Sequence, residues 1–78
     1  MLTGKRFLLE KDTLSVEVQD GHRTAVFVPA GALIEVLSEP TGGPEDFINI
    51  RWESRIVSMF AVDVDMRGTE ILEQTAVA

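Results

Sequence analysis

Apolar and polar residues exchange places at every second position through much of this chain, and any fold it adopts must accommodate that period. In TLSVEVQ, residues 13–19, Leu14, Val16 and Val18 share one side while Ser15 and Glu17 share the other. The same alternation runs through INIRW and RIVSMF, residues 48–52 and 55–60. Successive side chains of an extended strand point to opposite faces, so these runs predict half-buried β-strands. Turn residues separate them at short intervals: Asp20-Gly21, then Pro29 and Gly31, then EPTGGPED at 39–46.

The tight pair of strands around Glu53-Ser54 reads most clearly. With those two as the turn, Trp52 pairs with Arg55, Ile50 with Val57 and Ile48 with Met59 on one face, which is the predicted core. The other face carries Arg51 with Ile56, Asn49 with Ser58, and Phe47 with Phe60. Trp52 then closes the end of the core face with its rim exposed.

The earlier hairpin admits two registers. A three-residue loop, Gln19-Asp20-Gly21, pairs Val18 with His22 and brings Thr24 opposite Val16 and Val26 opposite Leu14, with Leu14, Val16 and Val18 facing the core. A two-residue Asp20-Gly21 loop brings Ala25 and Phe27 to that face instead. The first is preferred because it keeps β-branched residues inside, and it turns Phe27 away from the core. Downstream, Ala32, Ile34 and Val36 alternate with Leu33, Glu35 and Leu37, which suits a strand that bends between two halves of a barrel. After Phe60 the expectation is a short 3₁₀-like turn near Asp63 to Arg67, a closing strand at about Thr69 to Leu72, and a frayed tail at 73–78.

Together these elements predict one all-β domain over residues 1–78, a small five-stranded barrel with glycine at its corners and a short 3₁₀ turn before the last strand. The order of parts resembles an SH3-like small β-barrel over roughly residues 5 to 72. VPAGALIEVL and RWESRIVSMFAVDV are similar to small bacterial proteins of unassigned function, which implies a fold and no activity. WESRIVSMF is also similar in spacing to a hairpin of the plasmid-borne type II dihydrofolate reductases. Their pore motif of valine, glutamine, isoleucine and tyrosine has no counterpart: Val57-Ser58-Met59-Phe60 lacks the glutamine and the tyrosine hydroxyl, so that activity does not carry over.

Composition narrows the function classes. A chain of 78 residues hides only about 60% of its unfolded surface, so its core is thin. It has no cysteine, which removes disulfides and thiolate metal sites. The net charge of −6 opposes a phosphate backbone, making nucleic acid a disfavoured partner. No apolar run reaches the roughly 20 residues of a membrane helix, so no membrane partner is expected and the cytoplasm is the expected compartment.

Candidate sites are few. Trp52 with Arg51 and Arg55 is the leading group, since tryptophan and arginine concentrate at binding hot spots and a guanidinium stacks on indole. Phe27, Phe47 and Phe60 fall away from the core face and form a candidate apolar complement. Asp63 and Asp65 would share a side if extended, yet no histidine or third acid stands near them. His22 lacks the partners that metal binding or nucleophilic catalysis needs, and Glu45 and Asp46 read as solvating a loop. TGGPED has acids where a phosphate cradle needs lysine. No metal or cofactor is expected. The reading is a non-catalytic protein or peptide interaction module, self-association included. Its alternatives are an enzyme whose site forms between subunits, lined by Asp63, Asp65 or Arg51, and an RNA-binding barrel using Lys5, Arg6 and Lys11.

Overall fold

The computed structural model describes residues 2–42 and 46–72, and these form one antiparallel sheet with a single short helix. In chain order the elements are β1 (Arg6–Leu9), β2 (Thr13–Gln19), β3 (His22–Val28), β4 (Leu33–Val36), β5 (Phe47–Trp52), β6 (Arg55–Phe60), α1 (Ala61–Arg67) and β7 (Gly68–Ile71). The strands lie side by side in the order β3-β2-β6-β5-β4-β1-β7. The two outermost strands, β3 and β7, do not pair with each other. The expected closed five-stranded barrel is therefore corrected to an open sheet of seven strands. β1, Arg6–Leu9, was not among the expected strands; it pairs with β4 on one side and β7 on the other.

The β5–β6 hairpin has the predicted register throughout, from Trp52 opposite Arg55 to Phe47 opposite Phe60. Ile48, Ile50, Val57 and Met59 are all buried. They meet Phe7 and Leu9 from β1, Val28 from β3, Ile34 and Val36 from β4, and Ala61 and Val64 from α1. This cluster is the core of the molecule. β4 sits between β1 and β5 and serves both: Ile34 is level with Phe7 on one side and Trp52 on the other.

Two expectations are overturned. The first concerns the early hairpin, whose turn is the two-residue Asp20-Gly21, with φ of 53° and 78° and Gln19 opposite His22. Two consecutive positive φ values are what a type I′ turn requires, and that turn matches the twist of its strands. Leu14 consequently pairs with Phe27 and Val16 with Ala25. The face they occupy is also the reverse of the expected one. β2 joins the rest of the sheet through Val16 opposite Ser58, and Ser58 points away from the core because Val57 and Met59 point into it. Leu14, Val16 and Val18 thus lie outside, and Thr13 and Ser15 are buried. Their hydroxyls are satisfied locally: Thr13 Oγ1 donates to the Lys11 carbonyl at 2.9 Å and Ser15 Oγ to the Val26 carbonyl at 2.7 Å. Burial of these two small polar groups therefore costs little.

The second correction concerns residues 61–67, read from sequence as alternation giving way to a 3₁₀-like turn near Asp63. They form α1, with Ala61 and Val64 on its buried side. That spacing of three is helical, and it was masked by the strand-like alternation of Val62 and Val64 with Asp63 and Asp65. The chain then returns as β7 beside β1, close to the predicted position of the last strand. No helix among the described residues is long and apolar enough to cross a membrane. The predicted frayed tail, 73–78, lies outside the described residues, as does Glu45.

Candidate functional site

Trp52 ends β5 on the core side, half-buried against the central cluster. The Arg55 guanidinium lies over its ring, 5.2 Å from the centroid. That guanidinium is also held by Glu17 of β2: Nη2 donates to Oε1 at 2.7 Å and Nε to Oε2 at 3.3 Å. The paired geometry is the bidentate fork of arginine on carboxylate. It holds the Glu17 carboxyl below its ordinary pKa, chiefly through the hydrogen bond from Arg55, and raises Arg55 in return through the same bond. Arg51 is on the opposite face, where Nη1 donates to Glu35 Oε1 at 3.1 Å. The structure brings Trp52 and Arg55 together and separates Arg51 from both, and each arginine already has an acid. This group braces the sheet: Glu17, Arg55 and Trp52 tie the β2–β3 hairpin to the end of β5–β6.

Phe47 and Phe60 are on the other face, as their hairpin register predicts. Phe27 lies there too, but beside Leu14, Val16 and Val18 instead of away from them, because the register and the facing of the early hairpin both differ from the expected ones. Phe47 and Phe60 stack with ring centroids 4.3 Å apart, and Phe27 is 66% exposed at the edge strand. Between them lie Leu14, Val16, Val18 and Ile56, none of which was expected there apart from Ile56. A shallow groove of about 220 Å³ crosses this surface, lined by Val16, Val18, Arg23, Phe47 and Ser58. Phe27, Val18, Ile56, Phe47 and Leu14 are between 41% and 66% exposed. At roughly 150–250 Å² for a large aromatic and somewhat less for the aliphatics, they show on the order of 500 Å² of apolar surface. Soluble monomers rarely leave a contiguous patch of more than a few hundred Å² uncovered.

The remaining candidates dissolve as sites or become supports. Asp63 and Asp65 lie on α1, where a separation of two residues turns them to different sides, and Asp63 pairs with Arg67 at 3.7 Å. Lys5 is 3.8 Å from Glu70. His22 is exposed at the exit of the turn. Among the described residues, no group of three or more His, Cys, Asp or Glu side chains is placed to hold a metal ion.

Two acids do more than the sequence suggested. Asp46, expected only to solvate its loop, accepts from the Thr41 amide and hydroxyl at 2.8 and 3.0 Å and from the Gly42 amide. These bonds, that from Gly42 first, hold its carboxyl below the ordinary range. Glu39 accepts from the Leu2 amide at 3.0 Å and from the Thr3 amide and hydroxyl at 2.7 Å each, which lowers its pKa to about 2. Asp46 finds its partners four and five positions back, close by in the chain. Glu39 reaches across 37 positions and had no local signal.

No protein-family model, no curated protein and no solved structure matches this chain.

Proposed function

We propose that the chain is a non-catalytic protein or peptide interaction module on an SH3-like frame, and that it docks partners on the apolar outer face of β5, β6, β2 and β3. The observation that carries this reading is the extent of that face, with Phe27, Phe47, Val18 and Ile56 all about half exposed or more around one groove. The frame is supported by the order of parts: a strand, a long hairpin, a second strand, a loop, a tight hairpin, a short helix, and a last strand returning beside the first. Trp52, Arg55 and Glu17 act here as the wall that holds the face in shape. A partner presenting apolar side chains on an extended or amphipathic segment would desolvate the Phe47–Phe60 stack and the valines beside it.

A photoreactive phenylalanine analogue at Ile56, exposed at the turn end of this face, tests the reading in the protein's own cells. Crosslinks to a defined protein band, lost when Val18→Lys is added while the thermal melt is unchanged, would support it. Crosslinking at Ile56 no stronger than at exposed Glu10 would overturn it.

A further inference from the structure

The open edge of β3 carries an inference that goes beyond the outer face. A two-residue turn makes the flanking pair, Gln19 and His22, the hydrogen-bonded one, and bonded and non-bonded pairs alternate from there. His22, Thr24, Val26 and Val28 therefore turn their amides and carbonyls toward β2, and the Ser15 hydroxyl on the Val26 carbonyl agrees with that assignment. Arg23, Ala25 and Phe27 turn theirs outward. β3 is terminal in the sheet, and no backbone bond from another described element reaches its far side.

Edge strands are normally protected by shortness, proline, lysine or a bulge. β7, at the other end of the sheet, has four residues and includes Glu70. β3 has seven in unbroken register, with neither proline nor lysine, and Arg23 is its one fixed charge. Among the described residues no acid is paired with Arg23, although the chain carries an excess of acids.

We infer that β3 pairs antiparallel with β3 of a second copy, about a two-fold axis at Ala25, joining two sheets into one. In that register Ala25 meets Ala25, and Arg23 of each copy lies opposite Phe27 of the other, each pair exchanging both its N–H···O bonds. The out-turned groups are all used. The unpaired guanidinium meets an exposed aromatic ring across the strands, on the outer face, where a cation and a π system attract. On the inner side Thr24 faces Val26 and His22 faces Val28, so β-branched residues are paired there as well. Sliding the axis to Arg23 would oppose two like charges directly. With the axis at Ala25 the two arginines are four residues apart along the strand, about 14 Å. That exceeds the Debye length of about 8 Å at physiological salt.

The test uses the whole chain, in two measurements. Sedimentation across a dilution series should show the mass rising from one chain toward two between about 10 µM and 1 mM, the range suited to a small interface. Amide exchange at the two ends of that series should show the Arg23, Ala25 and Phe27 amides gaining about tenfold protection at high concentration, while Thr24 and Val26 stay protected throughout. Ala25→Pro should abolish both effects without unfolding the hairpin, because proline is tolerated at an edge position whose amide faces outward. A chain monomeric throughout, or a dimer whose Arg23, Ala25 and Phe27 amides exchange freely, would overturn the pairing. Either result leaves the outer-face reading intact, since that is read from crosslinks at Ile56, away from this edge.

Discussion

Two glycines separate what a backbone position demands from what its neighbours allow. Gly21 has a φ of 78° and open space where a side chain would go, so Gly21→Ala should cost about 1 kcal/mol from conformation alone. Gly68 has a φ of −117°, which any residue adopts, but an added Cβ would lie 2.7 Å from the Val64 carbonyl oxygen and 3.2 Å from Phe7 Cβ. Gly68→Ala should therefore cost more, about 1–3 kcal/mol by overpacking, and urea unfolding of the two variants will show the order. Glu39 sets a pH dependence. Its carboxyl is held at about 2 against 4.5 unperturbed, so the stability it contributes is fully present above the unfolded value and is lost as pH falls from about 4.5 to 2. In Glu39→Gln the acid loss of N-terminal amide protection over that window should disappear, as exchange measured from pH 5 to 2 will report. Gly21 was legible because its turn is local. Glu39 was not, because its partners are at the far end of the chain.

At the scale of elements, the β5–β6 hairpin was readable from pattern because everything that sets it lies within fourteen residues: a turn, cross-strand pairs and one consistently apolar face. It supplies a paired prediction. Ile50 is buried and Ile56 is 57% exposed, on opposite faces of the same hairpin. Ile50→Ala should cost about 2–4 kcal/mol and Ile56→Ala under about 0.5 kcal/mol, by thermal or urea unfolding. Glu53 in the turn has a φ of 57°, so Glu53→Gly should raise stability by about 0.5–1 kcal/mol, a melting shift of a few degrees. The β2–β3 hairpin follows different rules. Its own alternation favoured Leu14, Val16 and Val18 inside, yet the single backbone pairing of Val16 with Ser58 decides which side faces out. That pairing joins residues 42 positions apart in the chain, so no local pattern could contain it.

At the scale of the whole molecule, the described residues leave two surfaces uncovered, the outer face and the β3 edge, and the core is thin. A domain of this size is stable by roughly 4–12 kcal/mol, so one Ile50→Ala substitution removes a large share. Net charge acts here too. Two copies of a chain at −6 repel, and screening weakens that repulsion, so the proposed dimer should tighten as salt rises from about 0.05 to 0.5 M. Sedimentation at fixed protein concentration reads the direction, and a dimer that weakens instead would point to attraction between opposite charges as its main support.

Alternation and turn residues were enough to determine a small, mostly β chain, the register of its tight hairpin, the four residues that hairpin gives to the core, Ile48, Ile50, Val57 and Met59, and the outward placing of Phe47 and Phe60. These are properties of period and of short-range pairing, which a strand carries with it wherever it is placed. Tertiary structure alone decided that the sheet stays open, that residues 61–67 coil into a helix against the core, and that Leu14, Val16 and Val18 face outward while Thr13 and Ser15 are buried. Each depends on which distant strand or surface an element meets. With a side-chain period of two, that one meeting sets the orientation of the whole strand.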